Sequence, residues 1–287
     1  MSATVSRETK AVIGTRRLKE PMAPLPSTRI ITVANQKGGV GKTTTAVNIG
    51  AALAMGGLKV LIIDLDPQGN ASTAFNVEHH EGVAGTYELL VAGASIASLR
   101  QRAEGYPRLD VVPAGVDLAG AEIDLVELER REFKLRDAIE EMLQRESEKY
   151  DYIIIDCPPS LGLLTLNALI AANELLIPIQ CEYYALEGLT QLIKIISLVT
   201  ENTNPQLHIG AIVLTMFDGR TRLAHDVAST VRSHFPKEVL TTVIPRAVRV
   251  SEAPSYGQSV LTYDMSSPGA LAYLAAAREL HEKGRAI

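Results

Sequence analysis

From Ile30 onward the chain alternates short runs that are apolar at every position with longer segments whose apolar residues recur every three or four positions. Apolar runs bounded by polar turns predict strands at Ile30–Ala34, Val60–Asp64, Leu109–Val112, Tyr152–Asp156, Leu175–Ile179, Ile209–Met216 and Val239–Ile244. The longer periodic segments predict helices at Lys42–Met55, Ile123–Arg145, Leu161–Ala172, Leu186–Thr200, Leu223–Phe235 and Pro268–Glu282. Strands without a polar face, separated by helices, bury both sides of their sheet, as parallel sheets do. The expected fold is α/β: a doubly wound, mostly parallel sheet with helices on both faces. The charged residues of Ile123–Arg145 (among them Glu127, Glu129, Arg130, Arg131 and Lys134) read as a solvated helix face.

Residues 1–28 lack this periodicity and close on Pro21-Met22-Ala23-Pro24-Leu25-Pro26. They are expected to form a flexible basic N-terminal tail ahead of a single domain spanning 29–287. Charge divides the same way. Residues 1–29 carry six basic side chains against Glu8 and Glu20, a balance of +4, so the overall −5 leaves −9 on the remainder. An acidic body gives no general attraction for nucleic acid, so any such contact needs a local basic patch. Composition adds little else: 46% apolar and 21% charged residues are ordinary for a globular chain, and no apolar run reaches the ~18 residues of a membrane span. The two cysteines are too few for a disulfide framework, which makes a cytoplasmic setting the expectation.

The chemistry starts where the first strand runs through Asn35-Gln36 into Lys37-Gly38-Gly39-Val40-Gly41-Lys42-Thr43-Thr44 and then into a helix. A glycine-rich turn between a strand and a helix N-terminus aims backbone N–H groups at phosphate, and the helix adds positive potential. Lys42 is positioned to reach the β- and γ-phosphates of ATP and Thr43 to bind Mg²⁺. Gln36 stands where an ordinary P-loop has its first glycine, and Lys37 is an additional lysine. Asp64 and Asp66 follow the second strand at i and i+2 and point the same way. Asp66 is the residue expected to orient or deprotonate the attacking water, with Asp64 supporting the loop and the metal. Tyr152–Asp156 reads as a strand whose terminal Asp156 holds a metal-bound water. Pro158-Pro159-Ser160-Leu161-Gly162 then forms a loop able to order around a γ-phosphate.

The lysine pair in Lys37–Thr44 resembles the deviant Walker-A motif of the ParA/MinD/nitrogenase iron-protein superfamily. The blocks Asp64–Asn70, Leu214–Thr221, Val243–Arg249, Ser251–Gly257 and Ser267–Ala270 look more narrowly like chromosomal ParA (Soj-type) partition ATPases. The resemblance implies an ATPase whose Lys37 crosses to the nucleotide of a second subunit in an ATP-sandwiched homodimer. It implies non-specific double-stranded DNA and a ParB-like centromere-binding protein as partners, and a nucleoid-associated location. Met216, Pro245 and the backbone at Ala247, where many relatives have Asn, would frame the adenine. Arg220 and Arg249 match family positions for DNA contact. Independently, residues 218–249 hold Arg220, Arg222, Arg232, Lys237, Arg246 and Arg249 against Asp218, Asp226 and Glu238, the local patch an acidic body requires. Arg222 and Arg246 are therefore counted with the DNA surface.

Two other readings share the P-loop. A MinD-like membrane ATPase needs an amphipathic C-terminal anchor with a basic face, whereas Leu271–Lys283 is alanine-rich and mixed in charge. An iron–sulfur electron donor needs cluster cysteines, whereas Cys157 follows the Asp156 strand and Cys181 another.

Overall fold

The computed structural model describes residues 20–145, 147, 149–182 and 185–285. Eight strands form one sheet: β1 Arg29–Val33, β2 Val60–Asp64, β3 Gln101–Arg102, β4 Leu109–Val112, β5 Tyr152–Asp156, β6 Glu174–Gln180, β7 His208–Phe217 and β8 Val239–Pro245. Their order is β3-β4-β2-β5-β1-β6-β7-β8, and every pairing is parallel except that of β3 with β4. The α-helices are α1 Lys42–Met55, α2 Asn70–Ala74, α3 Ile96–Leu99, α4 Leu118–Asp124, α5 Lys134–Arg145, α6 Leu163–Ala171, α7 Ala185–Asn202, α8 Arg222–His234, α9 Val248–Glu252, α10 Val260–Tyr263 and α11 Pro268–Gly284.

The uninterrupted apolar strands work because consecutive residues serve opposite cores. In β2, Val60 and Ile62 join one buried cluster with α1 and α11, while Leu61 and Ile63 join the other with α5 to α8. Helix α1 lies close on the sheet: a Cβ on Gly50 would stand 2.6 Å from Ile62 Cδ1. Helix α11 spends its apolar face on this core, burying Tyr273, Ala276, Ala277 and Leu280. Among the described residues no helix is long and apolar enough to cross a membrane.

Two expectations change. The helix expected over Ile123–Arg145 is broken. Leu128 is extended (φ −90°, ψ 140°) and Arg130 left-handed (φ 53°), with short 3-10 turns at Leu125–Glu127 and Arg131–Phe133, before α5 buries Leu135, Ile139 and Met142. The buried Leu125 must reach the core ahead of the helix, so the chain bends there. Of the flexible tail expected over residues 1–28, residues 1–19 lie outside the described ones and the rest is packed. From Glu20 the chain lies against the domain: Met22 is buried and donates its N–H to Gly56 O at 2.8 Å, and the Leu25 N–H bonds Asp151 Oδ1 at 3.0 Å. The Pro-rich composition hid this packing because it rests on bonds from backbone N–H groups to distant acceptors and on the isolated apolar side chains of Met22 and Leu25.

At the N-terminal edge of the sheet the Tyr152 hydroxyl lies 2.9 Å from Nδ1 of buried His281. Burial, then the nearby Arg285 and Arg29, hold the His281 pKa below its ordinary value, against Asp151. The folded chain thus refuses a proton that the unfolded chain accepts, and stability falls as pH drops below the unfolded histidine value of ~6.5. Melting temperatures taken from pH 7.5 to 5.5 should fall further for the native chain than for His281→Gln.

Candidate active site

Because the strands run parallel, the residues that follow β1, β2, β5, β7 and β8 meet at one edge of the sheet. Strand order reverses about β1, and the carboxyl ends at such a point are where open α/β sheets hold ligands. Register places Val33, Asp64 and Asp156 side by side on three adjacent strands.

The loop between β1 and α1 is pinned from several sides. Buried Asn35 donates from Nδ2 to Pro178 O at 2.8 Å, and its Oδ1 accepts the Lys37 N–H at 3.1 Å. Thr215 Oγ1 donates to Val40 O at 2.8 Å. Gly39 (φ 73°) and Gly41 (φ 88°) take left-handed conformations that side chains resist, which turns the loop into the start of α1. Lys42 is buried, with Nζ 3.3 Å from Lys37 O. Burial lowers the Lys42 pKa, and the carboxylates of Asp156 and Asp66 oppose the shift.

Asp64, Asp66 and Asp156 are all buried here. Asp64 is fully engaged: its Oδ2 accepts Ser72 N–H at 2.8 Å and Ser72 Oγ at 2.7 Å, and its Oδ1 accepts Asp66 N–H at 3.2 Å. Burial pushes its pKa up to about 6 against these bonds. Asp66 accepts the Gln68 N–H at 3.0 Å. Asp156 differs from both, since neither of its oxygens has a hydrogen-bond partner. Burial first, then Asp64, raise its pKa well above the ordinary range, offset in part by the neighbouring Thr43 hydroxyl and Lys42. A buried carboxylate left without a donor is costly and calls for a counter-charge. Among the described residues no group of three or more His, Cys, Asp and Glu is placed to hold a metal. A P-loop magnesium does not need one, because phosphate and water supply most of its ligands. Thr43 with orphaned Asp156 fits that ion, while Asp64, spent on Ser72 and the Asp66 backbone, fits a loop support better than a ligand.

Met216 lies beside the loop, its Cε 4.0 Å from where a Cβ on Gly41 would stand, and it is one of few non-glycine residues at positive φ (50°). Such backbone costs about 1–3 kcal/mol and tends to mark functional sites. Pro245 pairs in register with Phe217, and Ala247 caps α9. Arg220, Arg222, Arg246 and Arg249 are exposed around these strand ends. Three of them are ion-paired: Arg220 with Asp218 at 2.7 Å, Arg222 with Asp226 at 3.7 Å, and Arg249 with Glu252 at 3.1 Å and Asp264 at 3.7 Å. The patch is thus less positive than the 218–249 count implied, because Glu252 and Asp264 reach in from outside that stretch. Cys157 and Cys181 are both buried.

Sequence reasoning missed Asn35, Ser72 and Thr215 as supports of the phosphate loop and its aspartates, and Glu182 as the partner of Lys37. Glu182 Oε2 accepts Lys37 Nζ at 2.9 Å. The fold sets most of these partners: Asn35 reaches Pro178, Thr215 reaches Val40 and Glu182 reaches Lys37 across the sheet, while Ser72 serves Asp64 eight residues before it.

A family model described as an AAA domain matches residues 28–209. The chromosome partitioning protein ParA of Myxococcus xanthus is 51% identical over 256 residues, covering 89% of this chain and 88% of that protein. The sporulation initiation inhibitor protein Soj of Bacillus subtilis is 50% identical over 256 residues, covering 89% and 99%. Among solved structures, cobyrinic acid a,c-diamide synthase from Mycobacterium smegmatis with bound ADP and magnesium superposes with a TM-score of 0.74 at 37% identity, covering 88% of this chain and 93% of that one.

Proposed function

The chain belongs to the ParA/Soj family of chromosome-partitioning ATPases, and from that premise we propose that it is an ATP-operated DNA-partitioning switch. ATP sits on the Lys37–Thr44 loop with its adenine framed by Met216, Pro245 and the Ala247 backbone. Thr43 and Asp156 would hold magnesium, which would supply positive charge against the phosphates. Lys42 contacts the same phosphates in cis. Lys37 reaches the nucleotide of a second copy and closes a homodimer. Asp66 orients the attacking water, and the two lysines offset charge that develops in the transition state.

The observation that carries this reading is the Asp156 carboxylate, without a hydrogen-bond partner and near buried Lys42, with Asp66 also close enough to act on that lysine, beside a loop built to receive phosphate. ADP and magnesium bound to the mycobacterial synthase of similar fold support the same nucleotide and metal here. The dimer joins two patches of Arg220, Arg222, Arg246 and Arg249, so DNA binding gains avidity in the ATP state. A ParB-like centromere-binding protein stimulates hydrolysis and releases the DNA. The protein is accordingly cytoplasmic, associated with the nucleoid, and slow to hydrolyse ATP by itself.

DNA co-sedimentation tests the proposal. Retention should appear with ATP and be absent with ADP or without nucleotide; equal retention in all three conditions would overturn the switch. Arg220→Glu combined with Arg249→Glu should weaken ATP-dependent retention by at least about tenfold, since phosphate contacts dominate such binding. Nucleotide affinity should stay unchanged in that variant.

A further inference from the structure

Lys37 has a partner of its own in the single chain. Its Nζ donates to Glu182 Oε2 at 2.9 Å, with the two side chains 34% and 44% exposed. Glu182 is not there by chance of a floppy surface. Its N–H bonds Gln180 O at 2.8 Å in a tight turn off the end of β6, and Gln180 Nε2 donates to Glu182 Oε1. The Cys181 N–H meets Thr215 O, and Thr215 in turn holds Val40 of the phosphate loop. On the other side Asn35 fixes the Lys37 backbone and ties it to Pro178 on β6. A closed ring of bonds therefore carries Lys37 and Glu182 toward each other from two strands.

We propose that Glu182 is a positioning residue that holds Lys37 within its own subunit and must release it before Lys37 can engage a second copy's nucleotide. This rests on the reading of Lys37 as the residue that acts across the dimer. The physics sets the size of the restraint. A half-exposed pair is worth no more than about 1 kcal/mol, so it slows exchange without preventing it. A triphosphate offers several negative charges against the one on Glu182, so the lysine transfers once a nucleotide-loaded partner arrives. Without nucleotide, Glu182 keeps the ammonium paired within its own subunit and biases the chain against pairing.

The test is sedimentation velocity of the full chain over a range of protein concentrations with Mg²⁺ and a non-hydrolysable ATP analogue. Glu182→Gln preserves the shape and the turn but removes the charge. Because a homodimer releases two such pairs, the variant should tighten the dimer by about two- to thirtyfold, with the affinity of the monomer for a fluorescent ATP analogue unchanged. Glu182→Asp, which keeps the charge, should return dimerisation toward the native value, a rescue that a purely structural role would not produce. A Glu182→Gln dimer no tighter than the native one, or weaker, overturns the assignment. Lys37→Gln, run alongside, separates the premises. If it dimerises as the native chain does, the cross-subunit role of Lys37 fails and takes this inference with it. If it does not dimerise while Glu182→Gln is unchanged, only Glu182 has been misassigned.

Discussion

Asp66→Ala should lower ATP hydrolysis by about 10²–10⁴-fold, the usual contribution of a positioned general base, while leaving nucleotide binding and ATP-dependent DNA retention intact. The expectation follows from how the three carboxylates divide their work. Asp64 spends both oxygens on Ser72 and the Asp66 backbone, and Asp156 is oriented toward Thr43 and Lys42. Asp66 alone sits on the polar turn beyond β2, near enough to Lys42 to oppose its pKa shift, with its Oδ1 accepting the Gln68 N–H. Because that bond shapes the turn, Asp66→Asn is the sharper variant: the amide oxygen can still accept from Gln68, but it cannot take a proton. Both variants should accumulate on DNA in the ATP state, since the switch closes and does not reopen. A phosphate-release assay beside DNA co-sedimentation checks both halves, and brisk turnover in either variant would remove Asp66 from the chemistry.

The sequence made the strands and the phosphate loop readable because both depend on local pattern. Val60–Asp64, Leu109–Val112 and Tyr152–Asp156 appear with the expected bounds, and Lys42–Met55 likewise. Those elements also deliver Asp64, Asp66, Asp156 and Lys42 to one edge, so the grouping of the candidate site was legible from strand ends alone. What was not legible depends on distant residues. Strand β3 is two residues long and exists only by pairing with β4. Arg249 is exposed as expected, yet Asp264, fifteen residues on, shares its charge. The helix broken at Leu128–Arg130 kept an apolar period across the break, and a period cannot reveal a left-handed residue. Met22 looked like tail because one buried methionine among prolines makes no pattern.

The largest stability loss expected from one substitution is at the opposite edge, in Arg29→Ala. Arg29 opens β1, and its guanidinium makes two 2.6 Å bonds to Glu174 at the start of β6. It also donates to the Tyr152 hydroxyl and to Leu280 O, each at 2.9 Å, so three strands and α11 are tied by one side chain that is 10% exposed. Burial pulls its pKa down, yet Glu174 and Tyr152 outweigh it and raise the pKa overall. Removing the arginine strands a buried Glu174 carboxylate, which costs about 3–5 kcal/mol. For a domain of this size the melting temperature should fall by roughly 10 °C. Replacing both partners with apolar residues, Arg29→Met with Glu174→Leu, should cost much less than Arg29→Ala, because no charge is left unpaired. Thermal melts of the three proteins check the order. Nucleotide affinity in Arg29→Ala, measured below its melting point, should match the native chain. The contrast with Asp156 is the reason: at the N-terminal edge Arg29 and Glu174 satisfy each other and serve the fold, whereas at the C-terminal edge the Asp156 carboxylate has no hydrogen-bond partner and is available to a ligand.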